Sequence, residues 1–375
     1  MASSYWLEDG HTELRFRALA GRPDVVVIGG GVTGCACALA LARGGLSVRL
    51  HEARRVASGA SGRNGGFALH GGAAPYDVAR SDLGVERAKR LWGLSERFID
   101  RLEELAGDAF RRTGSLRLAA DEAERDALLA ERDALAADRF AVEWVETLEP
   151  PLADHFFGAI CHPRDGSIHP ARWVRRLAVL AAGEGVELRE ESRVESLSEL
   201  EASEVVIATD GYTRGLLPAL DAAVRPTRGQ VVATEPLSTR LFDRPHYARG
   251  GYDYWQQTPD GRLVIGGWRD ASLETEYTSE EATTPVIQSR IESFLRDVLR
   301  VRAPVTHRWA GIFGMTADRL PLAGRVPGRE GLWVACGYSG HGNVLGLACG
   351  ELVAASILGE PADELELFDP GRALG

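Results

Sequence analysis

The chain has 375 residues, 45% hydrophobic and 26% charged, with a net charge of −11, the profile of a folded globular enzyme rather than a disordered or fibrous chain. No lysine–arginine block stands out and no apolar run could span a bilayer, which speaks against nucleic-acid and membrane partners. The sole lysine, Lys89, lies in a charged helical run outside any motif, which excludes a Schiff-base pyridoxal enzyme and a P-loop NTPase.

In chain order, the polar, acidic opening MASSYWLEDGHTELRF does not read as a signal peptide, so residues 1–21 are an N-terminal extension of a cytoplasmic protein. Asp24–Ile28 is a short, mostly β-branched run, the pattern of a strand buried on both faces. Gly29–Gly34 follows, then the small-residue helix CACALALARGG, ending on Gly44-Gly45, and a second strand, Ser47–Ala53. From Pro75 to about Ala136 the pattern is helical and highly charged. Gly158–Pro170 is loop-like, and ARWVRRLAVLAAGEG is a glycine-stopped helix. Short strands return in VELREESRVESL and EVVIATDG. Arg225–Trp268 alternates in aromatic-rich strands separated by turns such as Pro259-Asp260-Gly261. Helices are expected near Ser279–Leu299 and over roughly Asn343–Leu358. Nucleotide-fold segments occur three times, separated by material of different character. This predicts an α/β chain with a discontinuous Rossmann-type lobe (22–75, 150–225 and 305–360). Interleaved with it is an antiparallel-sheet α+β substrate lobe (76–149 and 226–304).

Gly29-x-Gly31-x-x-Gly34 sits between a predicted strand and a predicted helix, the arrangement that brings a pyrophosphate to a helix N-terminus. Glu52 closes the second strand, where an acid hydrogen-bonds the adenosine ribose. A dinucleotide site follows, although these residues alone leave FAD and NAD both open.

The next residues narrow it. Gly59-Ala60-Ser61-Gly62-Arg63-Asn64-Gly65-Gly66 resembles the second flavin fingerprint of the D-amino-acid oxidase-like superfamily. Val205–Tyr212 resembles its strand-to-loop ATG segment, and Arg193-Val194 matches the place where backbone meets adenine. Thr316–Gly324 followed by Val334–Gly342 resembles its closing signature. The SYWL, GASGRNGG and GYSGHG spellings look closest to the γ-glutamylputrescine oxidase branch. The resemblance implies FAD, held by Gly29, Gly31, Thr33, Gly34, Glu52, Ala53, Ser61, Arg63, Asn64, Gly65, Gly66, Val194, Ala208, Gly211, Gly337, Ser339, Gly340, His341, Gly342 and Asn343. Some sarcosine-oxidase-like members link flavin to a cysteine where this chain has Gly311. None of Cys35, Cys37, Cys161, Cys336 and Cys349 lies nearby in sequence, so the FAD is expected to be non-covalent.

The implied reaction is oxidation of a C–N bond in a small amine or amino acid: hydride passes to flavin N5, the imine hydrolyses, and O2 reoxidises the flavin to give H2O2. The alternatives are a dehydrogenase that passes electrons to a carrier or quinone, and a flavin-dependent biosynthetic modifying enzyme. Glycine-oxidase-like members place an arginine at Phe313 and sarcosine-oxidase-like members a lysine at Val344, each to hold a substrate carboxylate. Without them, either another arginine binds the carboxylate or the reacting end is an uncharged amine. The aromatic residues Tyr252, Tyr254, Trp255 and Trp268 are candidates for an amine box. Tyr252, Trp255 and His341 are expected to be catalytic; Gln230, Tyr254, Trp268 and Phe313 are expected to contact substrate. Arg228 is a further candidate beside Gln230. His162, His169 and His307 read as structural, and no metal is expected. Val264 stands where sarcosine-oxidase-like members carry an oxygen-activating lysine, so either oxygen reacts slowly or Arg63 or a protonated His341 supplies the positive charge. Oligomeric state is not legible.

Overall fold

The computed structural model describes residues 4–8 and 18–375. Its first sheet has six strands. Val25–Ile28 (β1) is flanked on one side by Val48–His51 (β2) and then Glu187–Arg189, and on the other by Glu204–Ile207 and Leu332–Cys336. All of these pair in parallel; only the edge strand Leu322–Arg325 runs antiparallel. β1 is apolar because both of its faces are covered, and none of its four residues is more than 5% exposed. The helix Val32–Arg43 (α1) packs between the helices Pro170–Gly183 and Gly342–Ile357. The small residues of CACALALA and GLACGEL let these backbones come close. All five cysteines are buried and unpaired, as their spacing suggested.

The second sheet has eight strands, in the order Val305–Met315, Arg225–Thr234, Leu263–Gly267, Asp253–Gln257, His246–Ala248, Ser115–Leu118, Ala159–His162 and Glu143–Val145. It is antiparallel except where His246–Ala248 meets Ser115–Leu118. The two lobes are thus interleaved, but the sheets do not follow the boundaries expected at 150 and 305. Both Ala159–His162 and Val305–Met315 belong to the eight-stranded sheet. The stretch read as loop-like around Gly158–Pro170 holds that first strand and a second, Gly166–Ile168, which pairs with Phe67–Ala68 and Phe110–Arg111. These strands are too short to show a period. The helical run after Pro75 is three helices, Tyr76–Leu83, Val85–Ala106 and Glu122–Ala137, broken at Gly84 and by the strands Phe110–Arg111 and Ser115–Leu118. The helix expected from Ser279 begins at Pro285, which presets the first turn.

Part of the N-terminal extension is a working piece of the fold. Trp6 is 2% exposed, its indole N–H donates to the Asn64 carbonyl at 2.8 Å, and Ser4 Oγ donates to the Gly62 carbonyl at 3.0 Å. The segment therefore braces the GASGRNGG turn from beneath. Residues 1–3 and 9–17 of the extension lie outside the described residues.

Candidate active site

The carboxyl ends of the parallel strands open onto one long cavity of about 1210 Å³, where ligands bind in open α/β sheets. At one end stands the turn from β1 into α1. Gly29 has φ +113° and Gly34 passes so close beneath it that a Cβ on Gly34 would lie 1.9 Å from the Gly29 carbonyl oxygen. No side chain caps α1 through its N-cap residue Gly31; instead Ser61 Oγ, from the second glycine-rich turn, accepts from the Val32 N–H at 3.1 Å. Glu52 follows β2 and accepts from the Gly30 N–H at 2.7 Å and the Arg54 N–H at 2.8 Å. Burial raises its pKa against the pull of those two N–H groups. Ala53, Val194 and Ala208 line the same end.

Further along lie Arg63, Asn64, Gly65, Gly211, Ser339, Gly340, Gly342, Asn343 and Val344. Asn64 and Asn343 hold the two loops together, with Asn343 Nδ2 donating to the Phe67 carbonyl at 2.7 Å. Arg63 is 7% exposed and donates to the carbonyls of Ser58 and Ala310. Gly34, Gly66 and Gly337 do not line the cavity but support its walls. The Gly66 carbonyl accepts from Gln256 and the Gly337 N–H donates to half-buried Asp210. His341 caps the closing helix by position only, makes no side-chain cap bond, and leaves Nδ1 without a partner. Burial pushes its imidazole down to about 4, so it carries no positive charge at neutral pH, contrary to the charged role expected for it.

The aromatic candidates separate by strand face. Tyr252, Tyr254 and Phe313 line the cavity. Burial pushes Tyr254 up to about 12, leaving it a hydrogen-bond donor at neutral pH. Trp255 points the other way. It is fully buried between Phe294, stacked His246, Phe156 and Phe242, in the second lobe's own core. Trp268 joins that core against Phe294. Gln230 and Arg228 also fall short of the cavity, because both bind the buried carboxylate of Glu276. That ties down the loop from Arg269 to Thr284. Val264 is buried in the sheet and Lys89 faces Asp138 at 3.9 Å on the outer helix.

Sequence reasoning missed the loop that Glu276 anchors. Arg269 lines the cavity with its guanidinium over the rings of Tyr252 (4.4 Å) and Phe313 (5.7 Å), and it has no ion pair among the described residues. Trp268 sits in the left-handed region (φ 58°), and the reversal there sends Trp268 to the core and Arg269 to the cavity. At the other end of the loop Glu281 binds Arg54 at 2.8 Å and the Tyr212 hydroxyl, closing one lobe onto the other. His162, read as structural, lines the cavity together with His70, Arg117, Glu131 and Tyr247. His169 and His307 keep structural places, the former at the N-cap of Pro170–Gly183 and the latter 3.0 Å from Glu8.

These residues fit an FAD. Two helix N-termini whose own N-cap residues make no side-chain cap, and which favour anionic groups, open onto one elongated cavity, and an acid stands beside the first. The cavity exceeds the size usual for a drug-sized ligand. Gly29, Gly31, Thr33, Glu52 and Ser61 would hold the phosphates and ribose, and Asn64, Gly65 and Ser339–Asn343 the flavin end. No cysteine lines the cavity. Acid precipitation is therefore expected to leave all the FAD in the supernatant; flavin remaining in the pellet would show a covalent link.

The comparisons agree. The family described as FAD dependent oxidoreductase matches residues 24–356. A probable oxidoreductase OrdL from Rhizobium meliloti is 31% identical, over 92% of this chain and 85% of its own. Gamma-glutamylputrescine oxidoreductase from Escherichia coli is 28% identical over the same shares. The crystal structure of glycine oxidase from Geobacillus kaustophilus superposes with a TM-score of 0.77 at 26% identity, over 95% of this chain and all of that one. With a cavity built for a dinucleotide and a match running nearly end to end, the chain belongs to the FAD dependent oxidoreductase family.

Proposed function

We propose that the protein oxidises a C–N bond in a small amine or amino acid. The observation that carries this reading is the box of Tyr252, Tyr254 and Phe313 on the cavity wall beside the flavin-loop residues. Aromatic faces attract an amine's cation and keep water out, and their hydroxyls orient it. Bound FAD supplies the electron acceptor for the C–H bond next to nitrogen. The protein's part is positioning, which accounts for much of the rate in such chemistry. Neutral His341 and protonated Tyr254 add hydrogen-bonding groups without adding charge.

Two substrate classes fit, and Arg269 separates them. An uncharged reacting end suits the apolar Phe313 and Val344. Arg269, free of a carboxylate partner, favours the second reading, an amino acid whose carboxylate it binds. The test is anaerobic bleaching of the flavin by polyamines, N-methyl amino acids and D-amino acids, followed by peroxide assay in air. Glycine and sarcosine are expected to bleach the flavin if Arg269 holds a substrate carboxylate, and to be poor substrates if the reacting end is an uncharged amine. Arg269→Met raises KM for an amino acid by one to two orders of magnitude, from loss of a charge-assisted hydrogen bond of about 1.5–3 kcal/mol, and barely changes it for a simple amine. Peroxide identifies an oxidase; bleaching without aerobic turnover identifies a dehydrogenase. If no compound in the panel bleaches the flavin, the reading is wrong.

A further inference from the structure

An amine that is to lose hydride must first lose a proton, because an ammonium nitrogen has no electron pair to offer the carbon beside it. An alkylammonium titrates near about 10.4, so at neutral pH only about one molecule in a few thousand is already uncharged. Either the cavity supplies a base or it waits for that rare form.

Most of the basic groups on its wall are engaged. Glu52 accepts from the Gly30 and Arg54 N–H groups, Glu131 pairs with Arg117 at 2.6 Å, and Glu281 pairs with Arg54 at 2.8 Å. Asp210 accepts from the Gly314 and Gly337 N–H groups. Burial pushes the imidazoles of His162 and His341 down to about 3 and about 4, too low to hold an ammonium's proton. His51 and Glu195 stand at the dinucleotide end, beside Glu52 and Val194. Among the described residues of the wall, His70 is the one imidazole or carboxylate left.

Its setting is that of a base. The chain leaving the flavin turn runs along the cavity. Phe67 packs edge-on to Tyr254 of the aromatic box, its carbonyl accepts from Asn343, and Leu69 and His70 line the wall beyond it. Beside His70 stands buried Asp165. One carboxylate oxygen accepts the His70 backbone N–H at 2.9 Å and meets the ring Nδ1 at 2.7 Å; the other accepts from Ser115 Oγ at 2.7 Å. An ionised carboxylate only accepts, so Nδ1 carries the proton and the neutral ring holds its lone pair on Nε2. Nε2 makes no hydrogen bond to a described residue, and His70 keeps 6% of its side-chain surface open. A carboxylate placed in this way fixes the tautomer and steadies the imidazolium that forms.

The surrounding charges agree. Burial pulls the His70 pKa down and the Asp165 pKa up, but their mutual attraction outweighs it. The histidine's pKa therefore moves up, towards that of an ammonium, and the aspartate's moves down. From the packed helices Glu96 and Glu131 pull His70 the same way. Arg117 is matched by Glu131, and His162 and His341 stay neutral.

We propose that His70 is the base that takes the proton from the substrate's ammonium group, with Asp165 as its positioning residue. One N–H bond of the ammonium breaks, one forms at His70 Nε2, and the substrate nitrogen keeps the electron pair. The imidazolium gives its proton to water once the product has left. This role rests on the reading of the same cavity as an amine-oxidising site.

The experiment follows anaerobic flavin bleaching at saturating amine in the FAD-loaded enzyme, across the range from neutral pH to that of a free alkylamine. In the parent the rate falls toward acid with one pKa, the same for alkylamines of differing basicity. His70→Asn, which keeps an N–H for Asp165, is expected to bleach about a hundredfold or more slower at neutral pH. Its rate then climbs with each amine's own pKa, and a fluorinated amine that is uncharged at neutral pH brings it back close to the parent. A loss uniform across pH and amines overturns the proposal. So does a parent profile that tracks each amine's own pKa, a result that needs no variant should His70→Asn fail to fold. If no amine bleaches the parent's flavin, the reaction reading and this role fall together; bleaching unchanged in His70→Asn sinks this role alone.

Discussion

Glu52→Ala is expected to bind FAD about ten- to a hundredfold more weakly than the parent chain. An ionised carboxylate offers about four acceptor positions. In Glu52 two are taken by the Gly30 and Arg54 N–H groups, leaving others for the ribose hydroxyls at the mouth of the dinucleotide turn. Alanine removes that charged acceptor, worth about 1.5–3 kcal/mol, and orphans the Gly30 N–H in a turn whose neighbour already holds positive φ. Glu52→Gln keeps one acceptor oxygen and should fall between. Titrating apo-protein with FAD by flavin fluorescence gives the dissociation constants directly. Parental affinity in Glu52→Ala would remove the ribose from this residue.

The second large effect concerns stability. Trp255→Ala is expected to cost about 3–5 kcal/mol, as removing a large aromatic from a closed core does, while the folded holoenzyme keeps its turnover. The indole touches four aromatic side chains and none of the cavity. Trp255→Phe should be milder, since a ring remains to pack on His246. Denaturant unfolding alongside kcat at low temperature checks both halves. Intact stability with lost turnover would return Trp255 to the active site.

That residue shows where the sequence stops being legible. The glycine turn, Glu52 and the flavin-loop spelling are local signals: each is a short run whose geometry is fixed by its own residues, and the structure gathers most of them on one cavity. Period-two alternation in YDYWQQ separates Tyr254 from Trp255 but cannot say which face meets the ligand, because both faces carry aromatic rings. Arg269 was hidden by the left-handed turn at Trp268, a conformation that tryptophan does not announce. The contact of His70 with Asp165 was hidden by distance, since neighbours drawn from separate stretches of chain leave no spacing to read. Gln230 failed for the opposite reason. Its strand was placed correctly, but Glu276 claims its amide.

The strand order of the first sheet also governs how the protein is made. Val25–Ile28 is made well before its partners: one of its two sheet neighbours is Glu204–Ile207, and that strand's own outer neighbour is Leu332–Cys336. At roughly 5–20 residues per second of synthesis, the glycine turn waits on the order of ten seconds or more for its sheet to widen. The wait for Ser339–Asn343 is longer still. Until then the nascent chain shows an apolar strand edge of the kind that invites wrong pairing. The complete cavity thus waits for residues made long after the phosphate turn. A chain cut between Gly34 and Ser339 carries the phosphate turn but lacks the second helix N-terminus that lines the flavin end.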